Sequence, residues 1–287
     1  VGTMKTGLVL EGGGMRGIYT TGVLDWLLDQ KYLPDYCIGV SAGACHATSY
    51  LSKQRGRSFR INTAYLQNGE YVSVKNLLKT GSMFGMDFIF DKIPNELDPF
   101  DYQAFLASPC EFYVGVTNVW TGKPEYFPKE CLDHDSTVIR ASSSIPMFSP
   151  IVPYKGNLYL DGGTSDPIPV RKALADGCDR VIVVLTQDRG YVKHPEKFRP
   201  VYKNLYRRYP KMVNTLDHRH EVYNETRDFV FQLEKEGKAI VIAPGKPVDL
   251  SRFERDIPKL RALYEEGFAD AEKALTGSSW LSDGVKE

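Results

Sequence analysis

Short apolar runs alternate with amphipathic stretches along this chain. Residues 6–10, 36–40, 180–185 and 239–243 are apolar apart from Thr6 and Arg180 and too short for a stable helix. Such runs read as strands buried on both faces of a parallel sheet. Residues 111–119 alternate instead and are rich in β-branched and aromatic side chains, with 125–127 as a hairpin partner. A further apolar strand runs into Asp161. Residues 18–29 place Val23, Leu24, Leu27 and Leu28 on one side of a helix that Pro34 stops. Residues 57–66, 132–142 and 167–175 also read as helices. In 211–235, Met212, Leu216, Tyr223, Val230 and Leu233 recur at near-helical spacing, and Gly237 is a plausible stop. In 256–275, Ile257, Leu260, Tyr264, Phe268, Ala271 and Leu275 fall on one face, in steps of three and four. Strand and helix in alternation predict an α/β fold with a mainly parallel sheet and right-handed crossovers.

The 287 residues suffice for one large domain, or a domain with an appendage. Near residue 195 the composition becomes charged and helical. The expected division is a catalytic domain at 1–194 and a mostly helical extension at 195–287, packed on it. Lys+Arg and Asp+Glu both number 36, so no net charge argues for nucleic acid or an anionic membrane as partner. The basic clusters Arg55-Gly56-Arg57 and Tyr206-Arg207-Arg208-Tyr209 read as solvated faces. Five cysteines with no C-x-x-C spacing suggest neither a disulfide frame nor a zinc site, and point to a reducing, cytoplasmic compartment. No apolar run is long enough to span a bilayer, and Leu8-Val9-Leu10 is too short for a signal core. Val1-Gly2-Thr3 precede Met4 and stand outside the fold argument.

The candidate chemistry begins at Gly39-Val40-Ser41-Ala42-Gly43, a G-x-S-x-G match between a strand and a helix rich in small residues. A serine on so tight a turn stands clear of the sheet, which suits a nucleophile. The plainer reading is a glycine-rich turn whose serine caps the helix. Upstream, Gly12-Gly13-Gly14-Met15-Arg16-Gly17 fits G-x-G-x-x-G. The strand after it ends in Gly39-Val40-Ser41 and lacks the acidic residue that would hold a ribose. The same glycines can instead turn several backbone N–H groups to one point, as an oxyanion hole requires. Asp161, at the end of an apolar strand and before Gly162-Gly163, is either a turn residue or the base a serine hydroxyl needs. No histidine lies in a motif that would serve as base. His46 follows the serine on its own helix, and His134 sits at a polar helix start, Asp133-His134-Asp135. His194 is in a loop, and His218 and His220 are two apart on a charged helix. Residues 81–91, rich in Met and Phe, read either as a buried strand and loop or as a mobile apolar flap. In the second reading Met83, Phe84, Met86 and Phe88 touch acyl chains, and residues 82–90 can meet a membrane surface transiently.

Taken in order, the glycine loop, Gly39-Val40-Ser41-Ala42-Gly43, Ala141-Ser142-Ser143-Ser144-Ile145-Pro146 and Asp161-Gly162-Gly163 resemble the patatin-like phospholipase family over roughly the first 190 residues. The resemblance implies a three-layer αβα fold and a Ser–Asp dyad without histidine. It implies Ser41 as nucleophile, Asp161 as general base, and Gly12, Gly13 and Gly14 as the oxyanion hole. Arg16 occupies the family's usual arginine position in that loop, where it can contact substrate. The implied reaction is hydrolysis of acyl esters of lipids through an acyl-enzyme, with no metal or organic cofactor. The extension resembles that of a bacterial subgroup. Two other readings stay open at this point. One is an α/β-hydrolase triad of Ser41, Asp161 and His218 or His220. The other is a nucleotide-binding or regulatory module built on the glycine loop.

Overall fold

The structure is a computed structural model that describes residues 2–132, 134 and 136–283. Among these, one eight-stranded sheet is formed by β1 (Thr6–Leu10), β2 (Tyr36–Val40), β3 (Glu111–Asn118), β4 (Pro124–Pro128), β5 (Val152–Tyr154), β6 (Asn157–Asp161), β7 (Arg180–Val184) and β8 (Ala239–Ile242). Hydrogen-bonded neighbours link the strands as β5-β6-β3-β2-β1-β7-β8, with β4 also paired to β3. Strands β3, β2, β1, β7 and β8 are parallel, and β4, β5 and β6 pair antiparallel. The helices are α1 (Ile18–Asp29), α2 (Ala42–Leu51), α3 (Arg57–Thr63), α4 (Val74–Thr80), α5 (Tyr102–Ala107), α6 (Thr137–Ser142), α7 (Val170–Ala175), α8 (Arg199–Leu205), α9 (Pro210–Lys235) and α10 (Ile257–Leu275).

The apolar runs are buried on both faces, as their lack of alternation requires. Leu8, Leu10, Ile182 and Val184 join a core with α1, α2 and α10; Val9, Val181 and Val183 join a second core with α7 and α9. The result is a three-layer αβα sandwich. The region after residue 195 belongs to these layers. Strand β8 extends the sheet beyond β7, and α10 lies along α1. That helix pair is reciprocal. A Cβ on Gly22 would come within 2.0 Å of the Tyr264 carbonyl oxygen, and one on Gly267 within 2.0 Å of the Tyr19 oxygen. Tyr264 donates to Asp25 at 2.6 Å, and Tyr19 to Asp270 at 2.7 Å.

Two segments differ from the sequence expectation. The helix expected over 132–142 begins only at Thr137, because Ser136 sits at φ 53°, where a right-handed helix cannot pass. Asp133 and Asp135, expected to open that helix, lie outside the described residues. In 81–91, Phe84 makes a single bridge to Val72, and a π-helical segment, Phe88–Leu97, follows. It contains Pro94, which has no N–H to give an α-helix, and buries Phe88, Phe90, Ile93 and Pro94.

Strand register fixes the rest. Strand β4 covers one flank of β3 from Tyr113 to Thr117. On the other flank, β2 pairs as far as Val40 opposite Gly115, and β6 pairs from Asp161 opposite Val116. Strands β2 and β6 run in opposite directions, so they meet end to end on the same edge of β3. The residue after Val40 is Ser41, and the residue that ends β6 is Asp161.

Candidate active site

Ser41 links β2 to α2 at φ 53° and ψ −125°, a conformation that non-glycine residues seldom adopt. Its backbone N–H donates to Ser142 Oγ at 2.8 Å, and Ser142 Oγ donates on to the Gly115 carbonyl at 2.6 Å. Ser142, at the end of α6, is fully buried, so this two-step bridge ties the elbow to β3 through a site closed to water. The flanking glycines are needed for close approach. A Cβ on Gly39 would lie 2.7 Å from the Ala44 nitrogen, and one on Gly43 would lie 2.6 Å from the Leu10 oxygen.

Asp161 is buried and lines the same cavity as Ser41, whose hydroxyl is near enough to favour the charged form of its carboxylate. Burial raises its pKa above the ordinary carboxylate value. The Arg219 guanidinium, the Ser41 hydroxyl, the Gly163 N–H and Arg252 oppose that rise without cancelling it. The Gly163 N–H donates to Asp161 Oδ1 at 2.7 Å, and the Asp161 N–H donates to the Ser144 carbonyl at 2.9 Å. The carboxyl is therefore aimed, and it is more basic than a solvated one.

The glycine loop lies beside this pair: a Cβ on Gly12 would stand 3.1 Å from Ser41 Cβ. Gly13 and Gly14 have φ 152° and 56°, which L side chains rarely adopt. Among the described residues, nothing accepts the N–H groups of Gly12, Gly13 or Gly14. The loop is held from other directions. Thr186 Oγ1 donates to the Gly12 carbonyl at 2.7 Å, and the Met15 N–H donates to the Arg252 carbonyl at 3.0 Å. Beneath it, Glu11 accepts from the Thr186 N–H at 2.6 Å and from the Tyr223 hydroxyl.

Two cavities meet at Ser41, and both touch Gly14 and Ile145. One, of about 130 Å³, is apolar, with Met86, Ile89, Phe90, Ile93 and Phe105 in its wall. The other, of about 200 Å³, is polar and holds Asp161, the three glycines, Arg16, Lys193, Arg219 and Arg252. Of the residues expected to meet substrate, Phe84 and Met86 line the apolar cavity and Arg16 the polar one. Met83 and Phe88 line neither. The Met83 N–H donates to the Phe148 carbonyl at 2.9 Å, and the Phe88 ring packs edge-on against Tyr65. Lys193, Arg219 and Arg252 had no sequence signal: each is one basic residue in a polar stretch, far along the chain from the glycine loop.

No histidine lines the polar cavity among the described residues. His46 lines the apolar one, and burial lowers its pKa to about 4, so it is neutral near pH 7. His218 Nδ1 bonds the Asn214 carbonyl at 2.8 Å on its own helix. Arg219, between His218 and His220, is the residue of that turn that reaches the site: its Nε donates to the Gly163 carbonyl at 2.8 Å. Successive helix residues point about 100° apart, which turns both histidines away. Asp35 accepts the Thr6 N–H at 2.8 Å and is spent on the sheet, not on a ribose. Among the described residues, no group of His, Cys, Asp and Glu is placed to hold a metal ion, and no helix is long and apolar enough to cross a membrane.

Comparison with known proteins gives the chain a family and relatives. The family model for patatin-like phospholipases matches residues 8–174, and a model for a domain of unknown function (DUF6363) matches residues 209–277. An uncharacterized Escherichia coli K12 protein, YjjU, is 30% identical over 271 residues, which cover 92% of this chain and 75% of the relative. The lysophospholipase nte1 of Aspergillus terreus is 28% identical over 195 residues, 63% of this chain and 12% of that much longer protein. An uncharacterized NTE family protein of Mycobacterium bovis is 26% identical over 188 residues, covering 63% of this chain and 48% of its own length.

Proposed function

The chain belongs to the patatin-like phospholipase family, and from that premise we propose that it hydrolyses acyl esters of lipids, with Ser41 as nucleophile and Asp161 as the base. The observation that carries the reading is the meeting of β2 and β6 on one edge of β3. That register brings the ends of the two strands, Ser41 and the buried Asp161, side by side, and Ser41 lies where an apolar and a polar cavity join.

The chemistry follows from the groups present. Asp161 takes the proton of Ser41 Oγ as the oxygen attacks the ester carbonyl carbon. Negative charge then builds on the carbonyl oxygen. The N–H groups of Gly12, Gly13 and Gly14, which have no acceptor among the described residues, are the donors placed to hold it. As the tetrahedral intermediate collapses, protonated Asp161 gives its proton to the departing alkoxide, leaving the acyl group on Ser41. Water then attacks the acyl-enzyme and loses its proton to Asp161. Collapse releases the fatty acid, and the proton returns to Ser41. The raised basicity of Asp161 suits both halves of the cycle. The acyl chain occupies the apolar cavity, and the alcohol leaves through the polar one.

The test is hydrolysis of p-nitrophenyl esters of graded chain length by the wild type, Ser41→Ala and Asp161→Asn, with folding checked by circular dichroism. Both variants should fall to background, a loss of at least about 10⁴-fold on the scale of serine-hydrolase dyads and triads. Ser41→Ala retaining wild-type activity would refute the assignment.

A further inference from the structure

The polar cavity holds more positive charge than the dyad needs. Arg16 comes from the glycine loop, Lys193 from the segment after β7, Arg219 from α9, and Arg252 from the loop between β8 and α10. Three of the four lie beyond residue 174, where the patatin match ends, and Arg219 and Arg252 fall within the region matched only to a domain of unknown function.

Two of these cations lack a directly bonded acceptor among the described residues. Arg16 Nε is buried with no hydrogen-bond partner among the described residues. The Arg252 guanidinium has no hydrogen bond or ion pair there either, although its backbone carbonyl holds the Met15 N–H of the glycine loop. The other two are braced in place. Arg219 bonds the Gly163 carbonyl at 2.8 Å and Glu196 at 3.1 Å. The Lys193 ammonium lies 3.7 Å from Glu196, and its backbone is gripped by Asn224 through bonds of 2.8 and 2.9 Å. Burial lowers the pKa of Arg16. It holds Lys193 at about 8 and Arg252 at about 10, with neighbouring arginines adding to the effect. These cations crowd one another and outnumber the carboxylates that face them. Against the four stand Glu11 and Asp161 in the wall and Glu196 behind Lys193 and Arg219, which leaves one positive charge uncompensated. A guanidinium drawn partly out of water without a bonded acceptor is costly, and both Arg16 and Arg252 are half-buried. A tetrahedral anion has oxygens facing several directions, which suits donors arriving from four separate elements.

We propose that the C-terminal region builds a phosphate subsite on the alcohol side of Ser41, where Lys193, Arg219 and Arg252, with Arg16, grasp the phosphodiester of the leaving group and make the enzyme selective for acyl esters of phosphorylated alcohols. A phosphodiester carries the single negative charge that the cavity lacks. Ser41 lines both cavities, so a lipid with its acyl chain in the apolar one places the phosphate among the cations. The proposal rests on Ser41 being the nucleophile. It also gives the region of unknown function a role, which is to complete the substrate site and buttress the glycine loop.

The experiment compares kcat/KM for decanoyl lysophosphatidylglycerol and for monodecanoylglycerol, which share an acyl chain and differ in the phosphodiester. It uses the full chain, Arg252→Gln and Lys193→Met. The wild type should favour the phosphate-bearing ester at least tenfold. Each variant should reduce that ratio by about 10- to 100-fold, the scale of a lost charge-assisted hydrogen bond, mainly through KM. A ratio is read because it cancels any partial loss of folded protein. Hydrolysis of both esters at a ratio near one, unchanged in the variants, overturns the subsite and leaves the Ser41 reading intact. No hydrolysis of either ester, with no labelling of Ser41 by a fluorophosphonate, overturns both. Inorganic phosphate and glycerophosphoglycerol are added as competitors. Stronger inhibition by the glycerophosphodiester supports a head-group site. Equal inhibition of both substrates by inorganic phosphate alone identifies a free-phosphate site and overturns the selectivity claim.

Discussion

Ser142→Ala removes one oxygen and breaks two hydrogen bonds that no water can replace. Ser142 Oγ accepts the Ser41 N–H at 2.8 Å and donates to the Gly115 carbonyl at 2.6 Å, and the residue is fully buried. Each stranded buried group costs about 1–3 kcal/mol, so the substitution should cost about 2–4 kcal/mol once some relaxation is allowed. The consequence reaches past stability. Ser41 is held at φ 53° and ψ −125°, a backbone strain of order 1–3 kcal/mol that persists only while its surroundings insist on it. Ser142 is part of that insistence, because it fastens the elbow to β3 one residue from where Asp161 pairs. If the elbow relaxes by as little as an ångström, the Ser41–Asp161 geometry is lost, and such misplacement costs about 100-fold in rate. Urea unfolding would measure the first effect and p-nitrophenyl ester hydrolysis, at concentrations where the variant is folded, the second. A change below about 0.5 kcal/mol, the size of an ordinary surface substitution, with kcat within twofold of wild type would refute the view that this bridge positions the nucleophile.

Three further outcomes are expected. Burial raises the Asp161 pKa, so below the raised value the folded state holds a proton that the unfolded chain has released, and stability falls as pH rises through that window. Asp161→Asn, which does not titrate, should therefore unfold at a higher temperature than wild type at pH 7, and the gap should close towards pH 4; thermal scans showing a constant or reversed gap would contradict this. Gly267→Ala should destabilise by about 2 kcal/mol or more by urea titration, because its Cβ would meet the Tyr19 carbonyl at 2.0 Å and overpacking outweighs the helix-propensity gain; an unchanged midpoint would mean that α1 and α10 are not locked together. Lys193, held at about 8 by burial, with Arg219, Arg252 and Arg16 adding to the effect and Glu196 opposing it, loses its charge as pH rises through 8. The preference for lysophosphatidylglycerol over monodecanoylglycerol should accordingly shrink between pH 7 and pH 9, and an undiminished ratio would remove Lys193 from the subsite.

The strands and the long helices could be read from the sequence because they are dictated locally. Leu8, Val9 and Leu10 are apolar in succession because both faces of β1 are covered, and the one-sided spacing of Leu260, Ala271 and Leu275 on α10 marks the face laid on the core. The elbow could be read because Gly39 and Gly43 answer to backbone atoms only a few residues away or on the adjacent strand. Other features depend on which strands share an edge, and no periodicity records that. The end-to-end meeting of β2 and β6 arises from pairing to consecutive residues, Gly115 and Val116, of a third strand. The Ser142 bridge depends on the same register. Arg219 sits in α9 with no pattern to distinguish it from the arginines around it, and its partners are 56 and 23 residues away. Residues 81–91 stay open for a different reason: their Met and Phe content fits a buried strand and loop or a flap equally, and no periodicity marks the π-helical segment from Phe88 to Leu97.

The measurement that bears most directly on the central claim is covalent labelling of the intact protein by an alkyl fluorophosphonate, followed by peptide mass spectrometry. The reagent reports an activated serine and needs no knowledge of the natural substrate. If Ser41 is the nucleophile and Asp161 its base, one adduct forms, on the peptide containing Ser41, absent in Ser41→Ala and much slowed in Asp161→Asn. An adduct on another serine, or labelling of Ser41 at the same rate in Asp161→Asn, would contradict that assignment.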